Sequence, residues 1–219
     1  MIPIQNIYYM LSYAFQVLNE QGYKNIATEQ FNNTGELMAA ILEKGIAIQL
    51  KRGLGKEYIL QTEALSSLRG KIDIAESIKT QSMLRKQLIC TYDEFSVNSI
   101  MNRIIKSTVE LLLRSNISKQ RKKNLRKLMV YFSEVDFIDL YTVNWNVQYN
   151  RNNQTYRMLI SICYLVVKGL LQTQSNGHTE LMDFLDEQRM CRLYEKFILE
   201  YYRKEFKNQF TANASQIPW

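Results

Sequence analysis

Residues 87–113 constrain the fold more than any other stretch of this chain. Gln87-Leu88-Ile89-Cys90-Thr91-Tyr92 roughly alternates apolar and polar side chains, the period of a strand with one buried face. Asp93, Glu94 and Phe95 follow, then Ser96, Asn98 and Ser99. Each of the last three can accept a hydrogen bond from the free N–H groups that open a helix. Met101, Ile104, Ile105, Thr108, Leu111 and Leu112 recur at three- and four-residue steps and draw an apolar stripe. Arg103, Lys106, Glu110 and Arg114 take the wet face, with Lys106–Glu110 and Glu110–Arg114 at helix-neighbour spacing. The expected order is a strand, a capped turn and an amphipathic helix.

Before this unit, Pro3 suits a helix first turn. Ile4, Ile7, Tyr8, Leu11, Ala14, Phe15 and Leu18 mark one helical face, while Met10, Tyr13 and Val17 make the opposite side apolar too. Such a helix is expected at the centre of its domain. A second helix opens at Asn33 and Glu36, which have capping-box spacing, and buries Leu37, Ala40, Ile41 and Ile48. The turn Lys51-Arg52-Gly53-Leu54-Gly55 lacks the Lys-Ser/Thr ending of a phosphate-binding loop, so the chain is not expected to hydrolyse nucleotide itself. Short strands follow at Tyr58-Ile59-Leu60 and Ile72-Asp73-Ile74, and with Leu88–Tyr92 they make one small sheet. Asp73 and Glu76 lack a third ligand nearby in sequence and do not make a metal site.

Beyond the central helix, Arg114, Lys119, Arg121, Lys122, Lys123, Arg126 and Lys127 occur with no acid among them. Leu125, Leu128, Met129 and Phe132 give this helix an apolar edge, and Lys119, Lys122, Lys123 and Arg126 share another face. Two readings stand: a solvated helix face, or a surface that tracks DNA phosphates through Lys119, Arg121, Lys122, Lys123, Arg126 and Lys127. The net charge of +7 suits the second and is also an ordinary solubility device. Asp136, Asp139 and Trp145 fall in an irregular segment ending in a turn at Asn150-Arg151-Asn152-Asn153, a candidate boundary. The helix from about Gln154 to Leu171 is nearly all apolar and belongs in a core. Its longest greasy segment, Met158 to Leu171, is about 14 residues, too short to span a bilayer, and carries Lys168. Three widely spaced cysteines, Cys90, Cys163 and Cys191, point to a reducing, cytoplasmic setting. His178, the one histidine, supports neither a catalytic triad nor a zinc site.

The string Cys90-Thr91-Tyr92-Asp93-Glu94-Phe95-Ser96, with Asn102-Arg103-Ile104 behind it, resembles the McrC family. These are the nuclease subunits of 5-methylcytosine-type McrBC restriction systems, which defend against foreign DNA. The opening Ile2–Ala14 and the strip Leu68-Arg69-Gly70-Lys71-Ile72-Asp73 are similar to the family as well. The resemblance implies a McrB-like ring partner of the AAA+ class that hydrolyses GTP or ATP, with Arg69 and Lys71 in the region that meets it. By residue type alone Arg69 is a solvated strand-end residue. Tyr194-Glu195-Lys196-Phe197 and Tyr201-Tyr202-Arg203 resemble the helix that opens a nuclease domain of the PD-(D/E)xK type, with Glu195 the matching catalytic candidate; an exposed acid on a charged helix is the alternative. An intact domain of that type uses Mg2+. Its acids and lysine are expected beyond Trp219, so no cofactor is expected in this chain, which is not expected to cut DNA alone. Glu205-Phe206-Lys207 spells E-x-K within a helical pattern, where the metal chemistry wants strand positions.

The expected fold is α+β and mostly helical, with a small antiparallel sheet near residues 57–93. Residues 1–150 form a partner-interaction domain, and 151–219 a helical part leading into a truncated nuclease domain. The alternative is a stand-alone helical nucleic-acid-binding module built on residues 119–127. No membrane association is expected.

Overall fold

In the computed structural model the described residues are 4–15, 18, 23–149, 154–174 and 187–214. Pro3, the turn at residues 150–153, His178 and residues 215–219 lie outside them, as does the side chain of Cys191. Five helices carry the core: α1 (Ile4–Ala14), α3 (Thr34–Arg52), α5 (Ile100–Arg114), α7 (Gln154–Gln174) and α8 (Glu187–Glu205). α2 (Lys24–Thr28) and α4 (Ile74–Lys79) are shorter, α6 (Lys119–Met129) flanks α3 and α5, and β1 (Glu57–Leu65), β2 (Lys71–Asp73) and β3 (Leu88–Ser96) make one sheet.

α3, rather than α1, takes the centre. Nearly every side chain from Thr34 to Leu42 is buried, and Ile46 continues the seam. Its start is fixed as the sequence predicts, with Glu36 N–H donating to Asn33 Oδ1 at 2.8 Å. α1 buries Ile7, Met10, Leu11 and Ala14 on one side only. Its other apolar side meets α8, where Tyr9 and Tyr13 pack edge-on against Phe197, and Tyr13 also meets Tyr201. An aromatic partner nearly two hundred residues away in sequence explains why α1 is apolar nearly all round without being central.

α5 packs on α7, and α7 on α3. Leu159, Ile162, Cys163, Val166 and Val167 of α7 are enclosed in the same cluster as Ile104, Ile105, Val109 and Leu112 of α5. Residues beyond 150 therefore share one core with those before it. Ser99 caps α5, its Oγ accepting from Asn102 N–H. Lys106 departs from the wet face expected of it. The segment after α6 folds back over α5, and Lys106 Nζ donates to the carbonyls of Phe132 and Val135. Among the described residues Glu110 consequently pairs with Arg114 alone, at 3.1 Å. Trp145 in the irregular segment is anchored edge-on against Tyr164 of α7, with ring centroids 5.3 Å apart.

The sheet order is β1-β3-β2, all antiparallel. β1 and β3 pair without a break from Glu57↔Ser96 to Leu65↔Leu88. β3 thus runs four residues past Tyr92, through the acidic pair that sequence reading leaves outside the strand. Ile74 belongs to α4 rather than to a strand, because Asp73 caps that helix by accepting from Glu76 N–H at 2.9 Å. Among the described residues no helix is long and apolar enough to cross a membrane.

Candidate functional site

β1 and β3 form a two-stranded ribbon of nine residues per strand, about 30 Å long at the usual rise per residue. Between them residues 66–87 build a small lobe from β2, α4 and a 3₁₀ turn at Ser82–Arg85. Its packing is held by hydroxyls: Ser77 Oγ donates to the Asp73 carbonyl at 2.6 Å and accepts from Ile89 N–H at 2.8 Å. On the ribbon the Thr62 and Thr91 hydroxyls meet across the strands at 3.0 Å.

Arg69, Gly70 and Lys71 lie where this lobe rejoins the sheet. Gly70 has φ +66°, and a Cβ there would stand 2.3 Å from the Thr91 carbonyl oxygen. Only glycine permits that approach. It brings the Arg69 guanidinium over the Tyr92 ring, 3.9 Å from its centroid. Tyr92 in turn donates from its hydroxyl to Glu63 on β1. This hydrogen bond raises the Tyr92 pKa above the usual phenol value, together with desolvation and the Glu63 charge, while Arg69 pulls it down. The order Glu63–Tyr92–Arg69 fixes one cation at the sheet surface, and Lys71 stands exposed beside it. Around them the lobe leaves Leu68, Ile74, Ile78, Met83 and Leu84 in water, Leu84 at 81% exposure. Asp73 and Glu76 serve as a helix cap and a surface pair with Lys79.

The basic helix divides in two. Lys119, Lys123, Arg126 and Lys127 are exposed and Lys122 half-buried, and among the described residues none of the five has an ion-pair partner. Arg121 points the other way. Its side chain is 17% exposed and sits among Glu43 at 2.8 Å, Glu29 at 3.0 Å and Glu36 at 3.7 Å. Burial opposes its charge, but hydrogen bonds and attraction from Glu43 and Glu29 outweigh it and hold the pKa above the usual arginine value. Arg121 therefore ties α6 to α3 and leaves the phosphate-facing set assigned to it from charge alone. Glu36 completes the joint by accepting from Ser118 N–H at the start of α6.

Glu195 is exposed on α8, while its neighbour Lys196 turns inward over the Phe15 ring at 3.9 Å. Glu205 of the E-x-K string accepts from the Tyr13 hydroxyl at 2.9 Å, a packing role at the α1–α8 contact. Among the described residues no three His, Cys, Asp or Glu side chains gather to hold a metal ion. They do not make a Mg2+ site around Glu195.

Comparison with known proteins gives these features a context. The family described as McrBC 5-methylcytosine restriction system component matches residues 5–217. The type IV methyl-directed restriction enzyme EcoKMcrBC of Escherichia coli (strain K12) is 29% identical over 221 aligned residues, covering all of this chain and 63% of that protein. A chain in the cryo-EM structure of the Thermococcus gammatolerans McrBC complex shares the fold with a TM-score of 0.61 at 22% identity, over 93% of this chain and 59% of its own. A refined half-complex from a tetradecameric assembly of Thermococcus gammatolerans McrB AAA+ hexamers with bound McrC matches with a TM-score of 0.56 at 21% identity, over 88% of this chain and 46% of its own.

Proposed function

The chain belongs to the family of McrBC 5-methylcytosine restriction system components, and on that premise we propose that it acts as the McrC-like subunit of a DNA restriction system in the cytoplasm, docking on a ring-forming AAA+ partner and stimulating its hydrolysis of GTP or ATP. The description of the Thermococcus gammatolerans assembly as McrB AAA+ hexamers with bound McrC supports that pairing. In this reading residues 1–150 carry the partner contact, and 151–219 lead toward the nuclease part.

One observation carries the docking surface. Among the described residues the exposed large aliphatic side chains are Leu60, Leu68, Ile74, Ile78, Met83, Leu84 and Val130, and all but Val130 lie on the sheet and its lobe. Apolar groups so concentrated mark a surface that another protein covers. Here they sit on a ribbon that carries them away from the core, with Arg69 and Lys71 alongside. Those two cations suit an acidic or phosphate-bearing surface on the partner, where fixed positive charge can also steady catalytic groups. The test is nucleotide hydrolysis by the purified partner ring with and without this chain. Stimulation is expected, and Arg69→Ala with Lys71→Ala should reduce it roughly tenfold, the scale of one or two charge-assisted hydrogen bonds, with an unchanged circular dichroism spectrum. Stimulation that survives the double change intact would move the contact elsewhere.

The exposed cations of α6 favour a second contact, with DNA. Among the described residues no acid pairs with Lys119, half-buried Lys122, Lys123, Arg126 or Lys127, so their charge is open to counterion release on meeting phosphates.

A further inference from the structure

The ribbon leaves the core at two points, Gly55 before β1 and Val97 after β3; one side chain, Asn102, holds both, and a second, Tyr156, braces Asn102 and Gly55. Asn102 of α5 is fully buried, and Tyr156 of α7 is 2% exposed. Asn102 Nδ2 donates to the Gly55 carbonyl at 2.9 Å and to the Val97 carbonyl at 2.7 Å. Tyr156 donates from its hydroxyl to Asn102 Oδ1 at 2.7 Å and accepts from Gly55 N–H at 2.8 Å. The asparagine carboxamide and the phenol therefore close a ring of hydrogen bonds through Gly55, and the same carboxamide ties in Val97. Burial raises the Tyr156 pKa, against the lowering by Gly55 and Asn102, so the phenol stays neutral and keeps its proton for Asn102.

The core does not require this ring. An apolar pair at residues 102 and 156 would fill the same space, and Gly55 and Val97 could bond to water at the surface of a looser joint. A buried polar network of this kind costs stability unless every member is satisfied, and what a satisfied one gives is a single geometry. Here the geometry is the bearing of the ribbon relative to α5 and α7. We infer that Asn102 and Tyr156 are positioning residues, a lock that holds the ribbon at one angle so that contact at its far lobe acts on the ring partner and is felt by α7. The coupling to the partner rests on the docking surface proposed above; the lock itself does not.

Tyr156→Phe tests it with the full chain. The substitution keeps the ring and removes one oxygen, leaving Gly55 N–H and Asn102 Oδ1 without that partner. Hydrogen exchange of the Gly55 amide should accelerate at least about tenfold, the scale of one lost hydrogen bond. Amides in the middle of β1 and β3 should keep their protection. With the partner ring, apparent affinity for the chain should stay within about threefold, while the maximal stimulated rate falls about fivefold or more, because a ribbon free to swing still binds but seldom bears correctly. Two controls separate positioning from stability. Arg52→Ala removes the neighbouring tie from Arg52 to Thr155 outside the ring of bonds, and Val166→Ala loosens α7 elsewhere. Both should leave maximal stimulation unchanged. Unchanged Gly55 exchange in Tyr156→Phe would overturn the lock. Faster exchange with full stimulation, or equal loss in Val166→Ala, would overturn the positioning role. If the unaltered chain fails to stimulate any ring, the docking proposal falls, and Gly55 exchange still decides the lock.

Discussion

Replacing Gly70 by alanine asks whether backbone geometry alone holds Arg69 and Lys71 against the sheet. The new Cβ would lie 2.3 Å from the Thr91 carbonyl oxygen, 2.7 Å from Tyr92 Cβ and 2.9 Å from Tyr92 Cα. None of these atoms is the end of a flexible side chain that could swing away. The φ of +66° adds a conformation that alanine disfavours, costing about 1–3 kcal/mol, and the overlap adds about 1–3 kcal/mol more. Against this, β2 docks on β3 through only three register pairs, at the sheet edge, where each ladder bond contributes about 1 kcal/mol. The penalty is as large as the docking energy, so the least costly response is local: residues 69–73 lift off β3 while the helical core stays closed. Hydrogen exchange read by mass spectrometry checks this directly. Peptides over 69–73 should lose protection by about tenfold or more, those from α3, α5 and α7 should keep theirs, and the variant should stimulate the partner ring as poorly as Arg69→Ala with Lys71→Ala. A folded Gly70→Ala protein that exchanges at residues 69–73 like the unaltered chain would refute the reasoning.

Arg121→Ala should destabilise the chain by about 3 kcal/mol in urea unfolding, because Glu36 and Glu43 lose their buried cation, whereas Lys123→Ala on the exposed face should stay within about 0.5 kcal/mol. Removing Lys119, Lys122, Lys123 and Arg126 should weaken DNA binding for all sequences alike, and the slope of log affinity against log salt should fall by roughly 0.9 per lost phosphate contact; an unchanged slope would leave them a solvated face. Burial pushes the Cys163 thiol up to about 12 from an ordinary 9.0, despite hydrogen bonding that favours the thiolate. Stability from the neutral thiol is therefore fully present below pH 9.0 and is lost as the pH rises toward 12, so urea midpoints across that window should decline less steeply in Cys163→Ala.

The sequence made the helices legible and the joints only in part. α3, α5 and α7 follow from apolar period and caps at Asn33 and Ser99, because both signals are local. Charge alone puts Arg121 with the phosphate-facing residues, and its position does not. It stands four residues before Leu125 and seven before Leu128, on the stripe that faces α3, and period alone puts it inside. Lys106 differs from Arg121 in this respect. Its partners are carbonyls of a segment with no period of its own, so nothing in the sequence announced them. The extension of β3 through Asp93-Glu94-Phe95 was hidden for a related reason: an exposed ribbon need not alternate in hydrophobicity, and two acids in water break no rule there.

The residues that carry the family resemblance turn out to have unlike jobs, and the difference bears on function. Tyr92 seats Arg69, Gly70 admits the close approach, and Asn102 closes the ribbon root. Each has a geometric reason to be what it is, found within this chain. Lys71, in the same strings, is exposed, and Arg69 reaches the surface with its charge answered, among the described residues, by a ring face rather than a carboxylate. Internal geometry explains where these two cations stand, and the Tyr92 ring favours a cation at Arg69 only. A motif whose other members build a rigid mount leaves Arg69 and Lys71 as what is mounted, which is the arrangement the proposed partner contact needs.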